Sequence, residues 1–406
     1  MALDVNLNKI ELLFCFVRKS YINTPSKNTQ LEKGEKTLQP DIASHFGDLK
    51  DPRVEGKNQH LLIDIIIIAI CAVVSGASGW EQIEIFGKAK QEWLASFLEL
   101  PNGVPGHDTF RRVLSRLNSK IFQECFLSWV HSLVKVVDGE VIPIDGKTLR
   151  RSYDSGSGKS AIHMVSAWAA KNRLVLGQVK TEEKSNEIKA IPELLKLLEI
   201  KGCIVTIDAM GCQKKIAAQI IEQGGDYVLG LKGNQGSLLE AVETVFNQAD
   251  AATFNSEKFD FYQMENKGHG RHEIRSHYTT DAAELPMLSQ WKGLRTIGVV
   301  VSERTEKDKK STECRYYISS QENKAELFAN AVRSHWGIEN RLHYVLDVTF
   351  REDECRIRKG DAPENFAVLR HIARNLLQRE KTKMSIRQKQ FRAACDNIFL
   401  ANVLAG

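Results

Sequence analysis

The chain has 406 residues, 42% of them hydrophobic and 26% charged, and a formal net charge of +5. This composition excludes a disordered or fibrous chain, and the length predicts two or three compact units, each with its own core. Eight scattered cysteines without a C-x-x-C pair argue against a disulfide scaffold or a zinc module, and predict reduced core residues in a cytoplasmic protein.

Residues 1–40 are polar and unpatterned after LLFCFV and are expected to be a variable, flexible lead-in. From 41 to 138 the pattern is helical. The run LLIDIIIIAICAVVSGASGW (61–80) approaches the length of a membrane span, but Asp64 interrupts it and the clean apolar stretch, Ile65 to Val74, has ten residues. A buried core helix is therefore expected, with no membrane partner. In GHDTFRRVLSRLN, Asp108 is the expected N-cap, and Phe110, Val113, Leu114 and Leu117 form one face. Arg111, Arg112 and Arg116 point elsewhere, which suits either a DNA-binding helix or an ordinary bundle.

At Glu140 the period changes. VIPID is strand-like, SAIHMVSAWAA and RLVLGQVKT predict a hairpin, and NEIKAIPELLKLL is an amphipathic helix. CIVTID, QKKIAAQIIEQ and DYVLGLKG then give strand, helix and strand. This order predicts an α/β fold with parallel pairing and covering helices. The segment SGSGKS (155–160) resembles a phosphate loop, but Tyr153 stands where its first glycine belongs. His269, His272 and His277 match no zinc spacing. Residues 237–325 are less regular, with strand-like EIRSHYTT, LRTIGVVVSE and CRYYISS, and helix returns at 326. From Val368 to Gly406 eight Lys/Arg face two acids, so most of the net charge sits at the C-terminal end, a candidate phosphate-binding surface.

Two hydrophobic runs end alike, VIPI-Asp145 and CIVTI-Asp208, 63 residues apart. Each aspartate alone reads as a turn or helix cap. Together, at the carboxyl ends of strands where α/β sheets bind ligands, they predict an oxygen-rich site suited to Mg²⁺ or Mn²⁺. Glu339 is the expected third acid. On a wheel of about 100° per residue it borders the apolar face of Ile338, Leu342 and Leu346, whereas Asp347 falls on the far, exposed side. Glu352, Asp353 and Glu354 read as a surface or capping patch.

The segments IDGKTLRRSYD, GQVKTEEKSNEIKAIPELL, TIDAMGCQKKIA, GGDYVLGLKGNQG, RYYISS and HWGIENRLHYVLDVTFREDE, with CRIRKG, resemble the H-repeat-associated group of the DDE insertion-sequence transposases. The resemblance runs from about residue 42 to the C-terminus. It implies a ribonuclease-H-like core, a mixed five-stranded sheet flanked by helices (139–236). A β-rich insertion (237–325), a return of the core with the third acid (326–378), a basic tail (379–406) and an N-terminal all-helical, DNA-binding domain complete the implied plan. It implies Asp145, Asp208 and Glu339 as catalytic and metal-binding acids holding two Mg²⁺ (or Mn²⁺) ions per active site. The related pattern of Tyr, two residues, Arg-Trp, two residues, Glu, then Lys seven later is met by Trp336 and Glu339. Val332, His335 and Leu346 occupy the tyrosine, arginine and lysine positions. DNA phosphates are accordingly expected at Lys147, Arg150, Arg151, Lys232, Arg333, His335 and Arg341. The implied activity is metal-dependent phosphodiester hydrolysis and strand transfer at element ends, on double-stranded DNA, by a homodimer on DNA in the bacterial cytoplasm and nucleoid. The alternatives are a catalytically lapsed DNA-binding derivative and a nuclease without strand transfer.

Overall fold

The computed structural model describes residues 42–405, except 55, 57, 135–136, 154–159, 182–186, 250–256, 269 and 307–308. The lead-in, most of SGSGKS and His269 therefore lie outside the described residues. The chain divides into two compact units: one holds residues up to 135, 149–162 and 344–406, the other 136–148 and 163–343.

The first unit begins with α1 (Leu62–Val74), α2 (Trp80–Ala89), α3 (His107–Arg116) and α4 (Ser119–Leu133). Helix α1 is apolar all round, so it is stable only when enclosed, and Asp64 through Val74 are all buried. No helix among the described residues is long and apolar enough to cross a membrane. Helix α4 starts where the Asn118 side chain accepts the Lys120 and Ile121 N–H groups. Asp108, expected as the cap of α3, lies inside the first turn and pairs with Arg111 at 2.7 Å. Glu84 of α2 takes over the end of that helix, accepting the His107 N–H at 2.8 Å. Arg111, Arg112 and Arg116 are exposed.

The second unit is built on one sheet. Among the described residues nine strands join it: β1 (Val141–Thr148), β2 (His163–Ala169), β3 (Leu174–Thr181), β4 (Ile204–Ile207), β5 (Asp226–Leu231), β6 (Phe259–Gly268), β7 (Arg271–Asp281), β8 (Thr296–Glu306) and β9 (Lys309–Ser319). The order is β3-β2-β1-β4-β5-β9-β8-β7-β6. Strands β1, β4 and β5 are parallel neighbours, and the remaining pairings are antiparallel. The sheet is larger than the five strands expected for the core. Strand β9 hydrogen-bonds directly to β5, so the insertion continues the sheet. The sequence reading also missed β6, an exposed edge strand rich in polar residues, and the helix Gly236–Gln248.

Helices cover the sheet: α5 (Glu187–Lys196), α6 (Lys214–Glu222), α7 (Gly236–Gln248) and α8 (Ala325–Ile338). Helix α8 lies on β1, β4, β5, β6 and β7 and so spans the sheet. Its first N–H, from Ala325, is accepted by Asp260 of β6 at 2.8 Å, which anchors that end beside the far edge. Phe328, Ala331 and Val332 then pack on Val141, Ile204, Val228 and Val300, one residue from each of four strands. Gly298 leaves room for this, because a Cβ there would come within 2.7 Å of the Phe328 ring.

The first unit closes with α9 (Ala362–Arg379), α10 (Ile386–Cys395) and α11 (Asn397–Ala405). Residues Ala362 to Leu377 of α9 are buried, Arg370 and Arg374 included. Glu352, expected in a surface or capping patch, is buried and faces Arg370 Nη1 at 3.6 Å. Asp347 is half-buried rather than exposed. The basic end is thus smaller than the sequence suggests. Lys389 is buried too, its ammonium donating to the carbonyl of Leu377 at 3.0 Å, while Lys381, Lys383, Arg387 and Arg392 stay exposed.

Two outcomes follow from this packing. Burial pushes the Asp64 carboxyl up to about 6 although the Leu100 N–H donates to it. The folded state then holds the proton more tightly than the unfolded one. Its stabilisation is complete below about pH 4 and is lost as pH rises towards 6. Asp64→Asn should therefore match the wild type near pH 3.5 and exceed it at pH 7.5, by up to about 3 kcal/mol, in denaturant melts; an equal difference at both pH values contradicts this. At Gly146, a Cβ would overlap His163 Nε2 and Glu187 Oε1, which are paired at 2.6 Å behind β1. Gly146→Ala should cost about 1–3 kcal/mol, and an unchanged urea midpoint would show that the pair gives way freely.

Candidate active site

The site grows out of one register. Strands β1 and β4 pair in parallel up to Ile144 opposite Ile207. The next residue on each strand is an aspartate, so Asp145 and Asp208 are neighbours, and equal register on parallel strands turns both to the same face. Strand β1 does not end at Asp145, as its composition suggested. It continues to Thr148 against β2, with Asp145 opposite Ser166. Beyond Asp208 on the same row comes Gly230 of β5, where a Cβ would stand 3.2 Å from the Ala209 nitrogen. Gly230 thus lets β5 lie close against the backbone that follows Asp208.

This is the face on which α8 lies. The helix passes over the parallel strands and changes to a π turn at Glu339–His343. Such turns are uncommon and frequently mark functional positions. Ile338 and Leu342 remain fully buried, as the wheel predicted, and Glu339 stays exposed. Asp145, Asp208 and Glu339 line one cavity of about 440 Å³, with Lys232, Arg315 and Trp336 on its walls.

The electrostatics are lopsided. Burial pushes the Asp145 carboxyl up to about 7; the Gly146 N–H opposes this, and the negative charges of Asp208, Glu187 and Glu339 add to it. His343 Nδ1 approaches Asp145 Oδ2 at 3.5 Å. Asp208 is also a cap, since its Oδ1 accepts the Met210 N–H at 3.0 Å. That bond occupies one oxygen, so the capping role and a role in the cavity are compatible. Among the described residues no three His, Cys, Asp or Glu side chains stand together as a ready metal cage. The donor set nevertheless fits a hard divalent cation, being made of carboxylates whose mutual repulsion such an ion would relieve.

The other expected site residues are dispersed. Lys147 lies two residues beyond Asp145 on the same face of β1, half-buried. Lys232 is exposed on the cavity wall. Arg333 and Arg341 are exposed, on α8 and in the π turn. His335 lines the cavity, but burial lowers its pKa and its Nδ1 is hydrogen-bonded to the Thr206 hydroxyl at 3.1 Å, so it is uncharged at neutral pH. Arg150 and Arg151 belong to the first unit. Arg150 pairs with Asp353 at 3.2 Å, and the Arg151 carbonyl accepts from Arg358.

Sequence reasoning overlooked His343, Glu187 and Arg315. His343 was within reach, because it is four residues from Glu339 and so shares its side of the helix. Glu187 and Arg315 carry no local signal: helix packing sets Glu187 behind β1, where its charge still reaches Asp145, and sheet register brings Arg315 to the cavity wall.

Comparison with known proteins gives the family. Residues 43–130 match the DDE_Tnp_1-associated family model, and residues 131–376 match the transposase DDE domain. The chain is 46% identical over 372 residues to the H repeat-associated putative transposase YhhI of Escherichia coli (strain K12), covering 90% of this chain and 98% of that protein. It is 44% identical over 370 residues to the putative transposase YncI of Escherichia coli O157:H7, covering 90% and 94%. Among solved structures, a piggyBac transposase synaptic complex with hairpin DNA aligns over 89% of this chain and 77% of that one, at 10% identity and a TM-score of 0.37, too weak a likeness to bear on fold or function. With three acids gathered by a parallel register and one helix, and with relatives this similar over nearly their whole length, the chain belongs to the H repeat-associated group of the DDE transposase family.

Proposed function

We propose that the chain is an active DNA transposase of an insertion sequence, cutting phosphodiester bonds at the element ends and joining the freed 3′ ends to target DNA. The observation that carries the reading is the adjacency of Asp145 and Asp208 beneath Glu339 in one cavity, with a carboxyl pushed to about 7. Asp145, Asp208 and Glu339 would hold two Mg²⁺ or Mn²⁺ ions. Bound there, the cations supply Lewis-acid polarisation of the phosphate and acidify an attacking hydroxyl.

The protein's own residues do the placing. Asp145 accepts the Gly146 N–H, which orients its carboxylate, and the His343 imidazole stands 3.5 Å from its other oxygen. The Met210 N–H does the same for Asp208. Lys147 and Lys232 offer ammonium groups to the phosphates entering the cavity, and Arg333 and Arg341 extend that field. His335, bound to Thr206, is read as a wall that seats the end of α8. The first five strands in space, β3-β2-β1-β4-β5, are read as a ribonuclease-H-like core. The helical segment 41–138, with Arg111, Arg112 and Arg116 outward, is read as a DNA-binding domain. Two ends must be cut and joined, so a homodimer on DNA is proposed, acting in the bacterial cytoplasm and nucleoid.

The test is nicking and strand transfer on DNA carrying the element ends, with Mg²⁺ and with chelator. Wild type should nick only with metal. Asp145→Asn, Asp208→Asn and Glu339→Gln should each lose at least about 10²-fold in rate while still retarding DNA in gels. Full nicking by any one of the three would overturn the assignment of that acid. Nicked product without joined product would leave a nuclease, and DNA binding without nicking a lapsed derivative.

A further inference from the structure

The outer strands carry a charge asymmetry that extends beyond the cavity. Side chains alternate across β6–β9. His277, stacked edge-on against Phe328 of α8 with ring centroids 6.3 Å apart, marks the side that faces the helix. On that side the register places Arg271, Glu273 and Arg275 of β7 opposite Glu306, Arg304 and Ser302 of β8. Those in turn lie opposite Lys309, Ser311 and Glu313 of β9. With Arg315 and with Arg333 of α8 there are six cations against three acids (Glu273, Glu306, Glu313), a net +3. Over the same stretch the opposite side holds Lys267 and Lys310 against Glu265 and Glu303, a net of zero. The asymmetry therefore belongs to one face.

The cations are held close together. The buried carboxylate of Glu273 receives Arg271 at 3.0 Å, Arg275 at 2.7 Å and Arg304 at 3.3 Å. One carboxylate cannot neutralise three guanidinium groups, and the Arg271 and Arg304 side chains remain 38% and 44% exposed. At the near end, Arg315 lies 4.5 Å over the Trp336 ring, and both line the cavity of the three acids. From the Val300–Arg315 pair to Glu306 is six residues of strand, about 20 Å at ~3.3 Å per residue. A duplex phosphate backbone, at ~3.4 Å per base pair, would span about six base pairs over that length.

We propose that Arg271, Arg275, Arg304 and Arg315, with Arg333, form a track for the DNA backbone that leads away from the cavity and holds about six base pairs of duplex beside the cut. The proposal rests on the reading of the cavity as the place of cutting. A 30-base-pair duplex of arbitrary sequence, titrated by fluorescence anisotropy across a KCl series, tests it. Arg271→Gln/Arg304→Gln should bind more weakly, with a salt slope smaller by about 2. Glu273→Gln should bind more tightly than wild type, a direction that mere loss of folding cannot produce. Lys267→Gln/Lys310→Gln, on the opposite side, should match wild type. The track is overturned if the arginine pair keeps the wild-type slope, if Glu273→Gln binds more weakly, or if wild type fails to bind the duplex. Absence of metal-dependent nicking by wild type, with these binding differences intact, would instead contradict the reading of the cavity.

Discussion

The site depends on a like-charge juxtaposition that the backbone enforces. The parallel register of β1 and β4 brings Asp145 and Asp208 side by side. Two full charges about 5 Å apart cost about 3 kcal/mol at an effective dielectric of about 20. Burial is the larger influence, the repulsion adds to it and the Gly146 N–H only partly opposes them, so Asp145 is pushed up to about 7. A fold under selection for stability alone would relieve the conflict with one substitution. The divalent cation proposed here would relieve it by binding between the pair and Glu339.

Everything else in the second unit bears on where α8 ends. Asp260 of β6 fixes its first turn, Phe328 fits over Gly298 of β8, and Trp336 lies under Arg315 of β9. The strands that looked like an insertion are thus the seat of the helix that carries the third acid. The π turn after Ile338 then keeps Leu342 in the core while Glu339 stays at the cavity. On the far side of β1, the His163–Glu187 pair and the absent Cβ of Gly146 hold the strand that carries Asp145.

Much of this was legible in the residues, because it rests on local periodicity. The β2–β3 hairpin, the buried helix of Ile65–Val74, the two hydrophobic runs that lead into Asp145 and Asp208 and the place of Glu339 beside the buried Ile338 all follow from patterns of two or 3.6 residues. What could not be read required knowing which strands touch. Strand β9 beside β5 is a pairing across some ninety residues, and nothing in CRYYISS announces it. The same holds for Glu352, an acid in a polar run whose burial comes from the α9 arginine facing it. Arg370, Arg374 and Lys389 show the converse error. They counted as surface charge because composition does not register which helix faces are buried. Asp108 misled because the better acceptor for its helix, Glu84, comes from another helix.

The central claim is that the three acids together form a divalent-cation site. Its most direct measurement is a titration of Mn²⁺ followed by electron paramagnetic resonance of the free ion at pH 7.5, on wild type and on Asp145→Asn/Asp208→Asn/Glu339→Gln. The account predicts that wild type removes Mn²⁺ from solution in competition with Mg²⁺ and that the triple variant, folded by circular dichroism, does not. Equal Mn²⁺ binding by the two proteins would contradict it.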